Sequence, residues 1–163
     1  MKELQGWATA ELEVAPEACF ELLAAIERYP AWFEVVREVE LLEPEQNGTP
    51  GIARAALHVP QSPFGTDFEL FMAVQTERPV AITLTRVPDG PRDPDRLELV
   101  WRLAGAGSTQ LELEFDAAAS FVPSFLPVGG AGDAIAQAAI EAACDALTLA
   151  RLGRQARVPG GRP

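Results

Sequence analysis

The sequence predicts an α+β fold: one curved antiparallel sheet of about seven strands wrapped around a long C-terminal helix, with two short helices after the first strand. Three observations predict it. Six runs between residues 37 and 118 alternate apolar and polar side chains, as strands wet on one face do. The turns between them are short, so neighbours in sequence should pair as hairpins. The run from 133 to 157 has no proline and is rich in Ala and Leu, the strongest helix formers. At ~1.5 Å per residue it is long enough to cross a sheet.

The elements follow in order. In residues 4–14, Ala8, Ala10, Leu12 and Val14 share one parity and Glu11 and Glu13 take the other, so this is a half-buried strand. Pro16 opens a helix with Glu17 in its first turn. Phe20, Leu23 and Ala24, widened by Leu22 and Ile26, make its apolar face, and Pro30 is expected to stop it. "AWFEVV" can add one short helical turn. "REVELLE" is a strand ended by the turn cluster "PEQNGTPG". "GIARAALHV" sets Ala53, Ala55, Leu57 and Val59 against Arg54 and His58. "TDFELFMAVQ" gathers Phe68, Leu70, Met72 and Val74, and "VAITLTRV" gathers Val80, Ile82 and Leu84. "RLELVWRL" sets Leu97, Leu99, Trp101 and Leu103 against Glu98 and Arg102, and "TQLELEFDA" sets Leu111, Leu113 and Phe115 against Glu112, Glu114 and Asp116. Asp133 is a suitable N-cap for the long helix, whose inward side is expected to carry Ile135, Ala139, Ala142, Ala146 and Leu149. A single domain should span 1–157, with 158–163 as a flexible tail.

Composition bounds the function. Hydrophobic residues make up 48% of the 163, enough for a real core. The net charge of −11 opposes nucleic-acid binding, which needs a cationic footprint, and disfavours anionic membranes. No run reaches the ~20 apolar residues of a membrane helix, so stable insertion is not expected. The N-terminal stretch lacks a signal-peptide pattern, and the expected compartment is the cytoplasm. Arg151, Arg154, Arg157 and Arg162 complement a helix C-terminus. Cys19 and Cys144 read as small buried thiols, and with His58 the one histidine, neither a metal nor any other cofactor is expected.

The stretch "VAPEACFELLAAIERYPAWFEVVREVELLE", residues 14–43, resembles the START-like superfamily of helix-grip proteins. The resemblance is greatest to the small bacterial polyketide cyclase/dehydrase and lipid transport proteins and the coenzyme Q-binding proteins. Pro16, Phe20, Leu23, Tyr29, Pro30, Trp32 and Val39 stand where that pattern has its strand, Pro-Glu helix, Tyr-Pro-x-Trp corner and following strand. The resemblance implies a helix-grip fold whose members include lipid carriers, hormone receptors, aromatases and cyclases. It implies that Trp32 anchors the corner at one end of the sheet, with Phe33 beside it as a candidate cavity residue.

The candidate site is an elongated apolar pocket between sheet and helix. Phe68, Leu70, Met72, Trp101 and Phe115 supply the large wall groups, and Ala139 and Ala142 the floor. Phe121 and Phe125 in "SFVPSFLP" are candidates for its mouth, as is Phe64 in "QSPFG". His58 shares the parity of Arg54 and should point outward, near Asp67. No nucleophile elbow, phosphate loop or paired-carboxylate motif is present, and Ser62, Ser108, Ser120 and Ser124 fall in turns. By parity the wall is almost all hydrocarbon. The leading expectation is therefore binding or transport of a lipid, quinone or polyketide-like molecule, with no catalytic residue assigned. The alternatives are a cyclase or dehydratase acting on such a molecule, and an interaction protein with an incidental cavity. The oligomeric state is left open.

Overall fold

The structure, a computed structural model, describes residues 2–59, 66–119 and 130–157. The chain runs β1 (Lys2–Leu12), α1 (Pro16–Ala24), a 3₁₀ helix (Ile26–Ala31), β2 (Val36–Glu43), β3 (Gly51–Val59), β4 (Thr66–Glu77), β5 (Ala81–Arg86), β6 (Arg96–Ala104), β7 (Thr109–Ala119) and α2 (Ala131–Arg157). The strands form one antiparallel sheet in the order β1-β7-β6-β5-β4-β3-β2. This is the expected architecture. The hairpins follow from local chemistry; between β2 and β3, Asn47 and Gly48 both take positive φ, and the flanking Gln46 and Thr49 exchange backbone hydrogen bonds.

Inward residues line up across the strands. Ile82, Trp101 and Leu113 form one row with Ala8, and Val74, Leu84, Leu99, Phe115 and Gly6 form the next. The outward face carries the charges: Arg54 pairs with Glu38, Glu40 and Glu69, Arg102 with Glu112 and Glu114, and Arg96 with Asp116 and Glu3. His58 stands opposite Asp67, with Nδ1 2.6 Å from Oδ1, as its parity predicted. Val80 is a correction. It lies in the turn before β5 and is exposed: its N–H bonds back to the Glu77 carbonyl to close the turn, while its own carbonyl accepts the Leu103 N–H of β6.

α2 lies against β1, β7 and α1. Its buried side is Ala136, Ala139, Ile140, Ala143 and Leu147, whereas Ile135 and Leu149 are 40% and 69% exposed. The helix is thus rotated from the expected face. Its polar stripe (Asp133, Gln137, Glu141, Asp145, Thr148) leaves a wide apolar arc, and the docking of its first turn chooses within it. There Gly6 and Gly132 bring two backbones together: a Cβ built on Gly6 would lie 2.0 Å from the Gly132 carbonyl oxygen. Asp133 then accepts the Trp7 N–H at 3.0 Å, satisfying the outer edge of β1.

The corner after α1 is tighter than expected. The α-helix ends at Ala24, and Pro30 sits inside the 3₁₀ helix rather than stopping the α-helix. Proline offers no N–H and disfavours α geometry in the residue before it. The last turn of α1 is satisfied by a side chain instead: the buried Tyr29 hydroxyl donates to the Leu23 carbonyl at 2.6 Å. Trp32 packs on Tyr29 with ring centroids 4.7 Å apart, and Phe33 stacks on Trp32 at 5.9 Å and 18°.

Two outcomes test these contacts. Gly6→Ala should lower unfolding free energy by ~1–3 kcal/mol in urea titration, the usual scale for overpacking. An unchanged midpoint would show that β1 and α2 can separate freely. Tyr29→Phe should cost ~1–3 kcal/mol, because it strands a buried carbonyl; a neutral substitution would remove the hydroxyl from any role in the corner.

Candidate functional site on the inner face of the sheet

Burial along the inner face is graded from one end to the other. At the α1 end, Phe20, Leu23, Ile26 and Tyr29 cover Ile82, Trp101, Leu103, Leu111 and Leu113, and all are buried. Burial pushes the Tyr29 phenol well above its ordinary range, so it stays a neutral donor. The Trp101 indole N–H faces the Tyr29 hydroxyl and tempers that rise, but it falls short of hydrogen-bond geometry, and both it and the Trp32 N–H are buried without a partner.

Toward the other end the same face loosens. Leu57, Phe68, Leu70, Leu97 and Leu99 point inward yet are only half-buried, and Leu41, opposite the buried Ala53, is 46% exposed. Ends of β3, β4, β6 and β7 meet here, and segments 60–65 and 120–129 continue from them. Met72 and Phe115 are buried at the boundary between the two regimes.

A charged residue stands on this face. Arg86 has the parity of Ile82 and Leu84 and sits opposite Met72. Its guanidinium donates to Asp93 at 2.8 Å, to the Asp95 carbonyl at 2.9 Å and to Asp89 at 3.4 Å. The Arg86 and Asp93 side chains are each 11% exposed. Asp93 also accepts the backbone N–H groups of Asp89 and Asp95 at 2.9 and 3.0 Å. Those two donors, and then Arg86, hold its carboxyl below the usual carboxylate range. The expectation of an almost wholly hydrocarbon wall is corrected here. The signal was in the sequence, since Arg86 continues the alternation of Ile82 and Leu84.

The predicted site residues are distributed as follows. Met72, Trp101, Phe115 and Ala139 are buried in or beside the core, Phe68, Leu70 and Phe33 are half-buried, and Ala142 is half-buried beside the inward stripe of α2. Phe64, Phe121 and Phe125 lie outside the described residues. Elsewhere, an open hollow of about 460 Å³ lies where β1 meets α2, lined by Trp7, Glu98, Glu114, Asp116 and Asp133 among others. It is acidic and on the outward side. Both cysteines are free thiols raised above their ordinary pKa chiefly by burial. Among the described residues no group of three or more His, Cys, Asp or Glu could hold a metal, and no helix is long and apolar enough to cross a membrane.

Comparison with known proteins agrees with the fold. In solved structures the same fold recurs in a START superfamily protein from Mycobacterium smegmatis, at 17% identity and a TM-score of 0.70 over 90% of this chain and 98% of that one. It recurs in the Zhui aromatase/cyclase from a Streptomyces species, at 19% identity and 0.64 over 99% and 100%. It recurs in human STARD10, at 14% identity and 0.70 over 98% of this chain and 69% of that one. No curated protein matches the sequence significantly. Residues 12–146 match the family described as polyketide cyclase/dehydrase and lipid transport, and the chain belongs to that family.

Proposed function

We propose that the chain binds or carries a hydrophobic small molecule, of the lipid, quinone or polyketide type, against the inner face of its sheet. One observation carries the reading: inward-pointing Leu41, Leu57, Phe68, Leu70, Leu97 and Leu99 remain partly exposed while the α1 end of the same face is sealed. Uncovered hydrocarbon costs about 25 cal/mol per Å², so an apolar ligand placed there gains what the fold leaves unused. Phe68, Leu70, Met72 and Phe115 would form the wall, Ala139 and Ala142 the helix side, Phe33 the corner, and Trp101 the closed end. A carrier of this kind would work in the cytoplasm.

The second reading, a cyclase or dehydratase, draws on the family and on the inward Arg86–Asp93 pair. These two groups satisfy each other, and a carboxylate held low by backbone donors is a poor proton acceptor. Binding is therefore the better-supported function. Turnover of a poly-β-ketone substrate by the purified protein would favour the enzyme instead.

The binding reading predicts that the neutral probe N-phenyl-1-naphthylamine brightens with the wild type. Leu70→Trp, which fills a half-buried position, should weaken that binding by about tenfold or more while the melting temperature moves by only a few degrees. A wild type that leaves the probe dark, together with a Leu70→Trp variant that unfolds, would mean a packed core and favour an interaction protein.

A further inference from the structure

Resting on that binding reading, we infer that the site measures its ligand by length: an extended alkyl chain lies along β3 and β4 with its inner end against Met72, and Met72 sets the length accepted. Helix placement selects the strip. α1 packs on β5 and β6, α2 on β1 and β7, and the 3₁₀ helix on β2, so β3 and β4 carry the least helix cover. On β5, Arg86 stands opposite Met72 with its guanidinium bound to Asp93, which makes the neighbouring strand a polar boundary for hydrocarbon. Over β3 and β4 the inward side chains toward the open end are Ala55, Leu57, Phe68 and Leu70, all apolar.

Burial locates the stop. Along β4 the inward residues are Phe68, Leu70, Met72 and Val74; the first two are half-buried, whereas Met72 and Val74 are 7% and 5% exposed. Met72 is therefore the first closed position, about 14 Å of strand beyond Phe68. Its partner on β3 is Ala53, a methyl group that adds no bulk of its own to the stop. Methionine is long and unbranched, so truncating it opens space continuous with the site rather than a sealed void. A chain that fills the site up to Met72 gains with each methylene. Beyond that length its added methylenes project into water and gain nothing.

Competition of a 1-alkanol series, from 1-hexanol to 1-tetradecanol, against N-phenyl-1-naphthylamine tests this, with the probe's own affinity measured for each variant. Wild-type affinity should rise by about fourfold per added methylene and then stop rising at a definite length. Met72→Ala, which removes the thioether arm, should move that break to chains longer by about two or three methylenes. Val74→Ala truncates the next buried residue behind Met72 and should leave the break in place. If Met72→Ala does not fold, Met72→Val makes the same test with a step of about one methylene. A break that stays put in the folded Met72 variant, moves as far in Val74→Ala, or is absent from the wild-type series would overturn the inference and leave the binding reading intact. Failure of every alkanol and of the probe would overturn that reading, and this inference with it.

Discussion

A wide sheet with one apolar face has to be covered, and a single helix is too narrow to do it. Seven strands at about 4.8 Å spacing span roughly 29 Å, whereas a helix with its side chains is about 10 Å across. α2 settles along β1 and β7, and α1 with the 3₁₀ helix closes one end through Phe20, Leu23, Ile26 and Tyr29. What is left is the far end of the inner face, where Leu70, Leu97 and Leu99 stay half-buried. The graded burial is thus a geometric consequence of the element inventory. The proposed site is the part of this face that α1, the 3₁₀ helix and α2 leave partly exposed.

The edges of the sheet are managed by two different devices. At β1, the pair Gly6 and Gly132 lets α2 begin in backbone contact, and Asp133 takes up the Trp7 N–H that would otherwise face solvent. At β2, against which the 3₁₀ helix packs, the register shifts twice and Glu38, Glu40 and Glu43 lie along the strand. Bulges and like charges both resist pairing with another strand. The ion pairs around Arg54 are exposed and individually worth little. Their effect is to keep the outward face wet, which fixes which parity turns inward.

That parity is why the sheet was legible from sequence. Period-two alternation in residues 97–103 and 111–115 assigned Trp101, Leu113 and Phe115 to one face, and the registers agree. α2 was less legible because its apolar arc is nearly all alanine. Methyl groups on either side of the polar stripe bury almost equally well, so periodicity alone places Ile135 and Leu149 inward, and the Gly6–Gly132 contact turns them out. The end of α1 was hidden for another reason. Pro30 marks where an α-helix cannot continue, but the Tyr29–Leu23 bond that lets it stop earlier is a tertiary contact. Arg86 was legible as well, since it lies inside the run "VAITLTRV" and shares the parity of Ile82 and Leu84.

Arg86 also shows why an inward charge on such a wall need not signal catalysis. The segment after β5, "VPDGPRDPD", offers Val87 and three prolines but no large apolar side chain to anchor it. A leucine or phenylalanine in its place would occupy the same face the ligand is proposed to use. The chain instead ties the segment down from below, with one guanidinium reaching acceptors at residues 89, 93 and 95 and one carboxylate gathering two backbone N–H groups. A buried ion pair adds little net stability over an apolar equivalent, but it is directional where hydrocarbon packing is not. It fixes the course of the segment beside the open end while leaving the hydrocarbon of Met72, Leu97 and Leu99 available, which is what a rim around an apolar site requires.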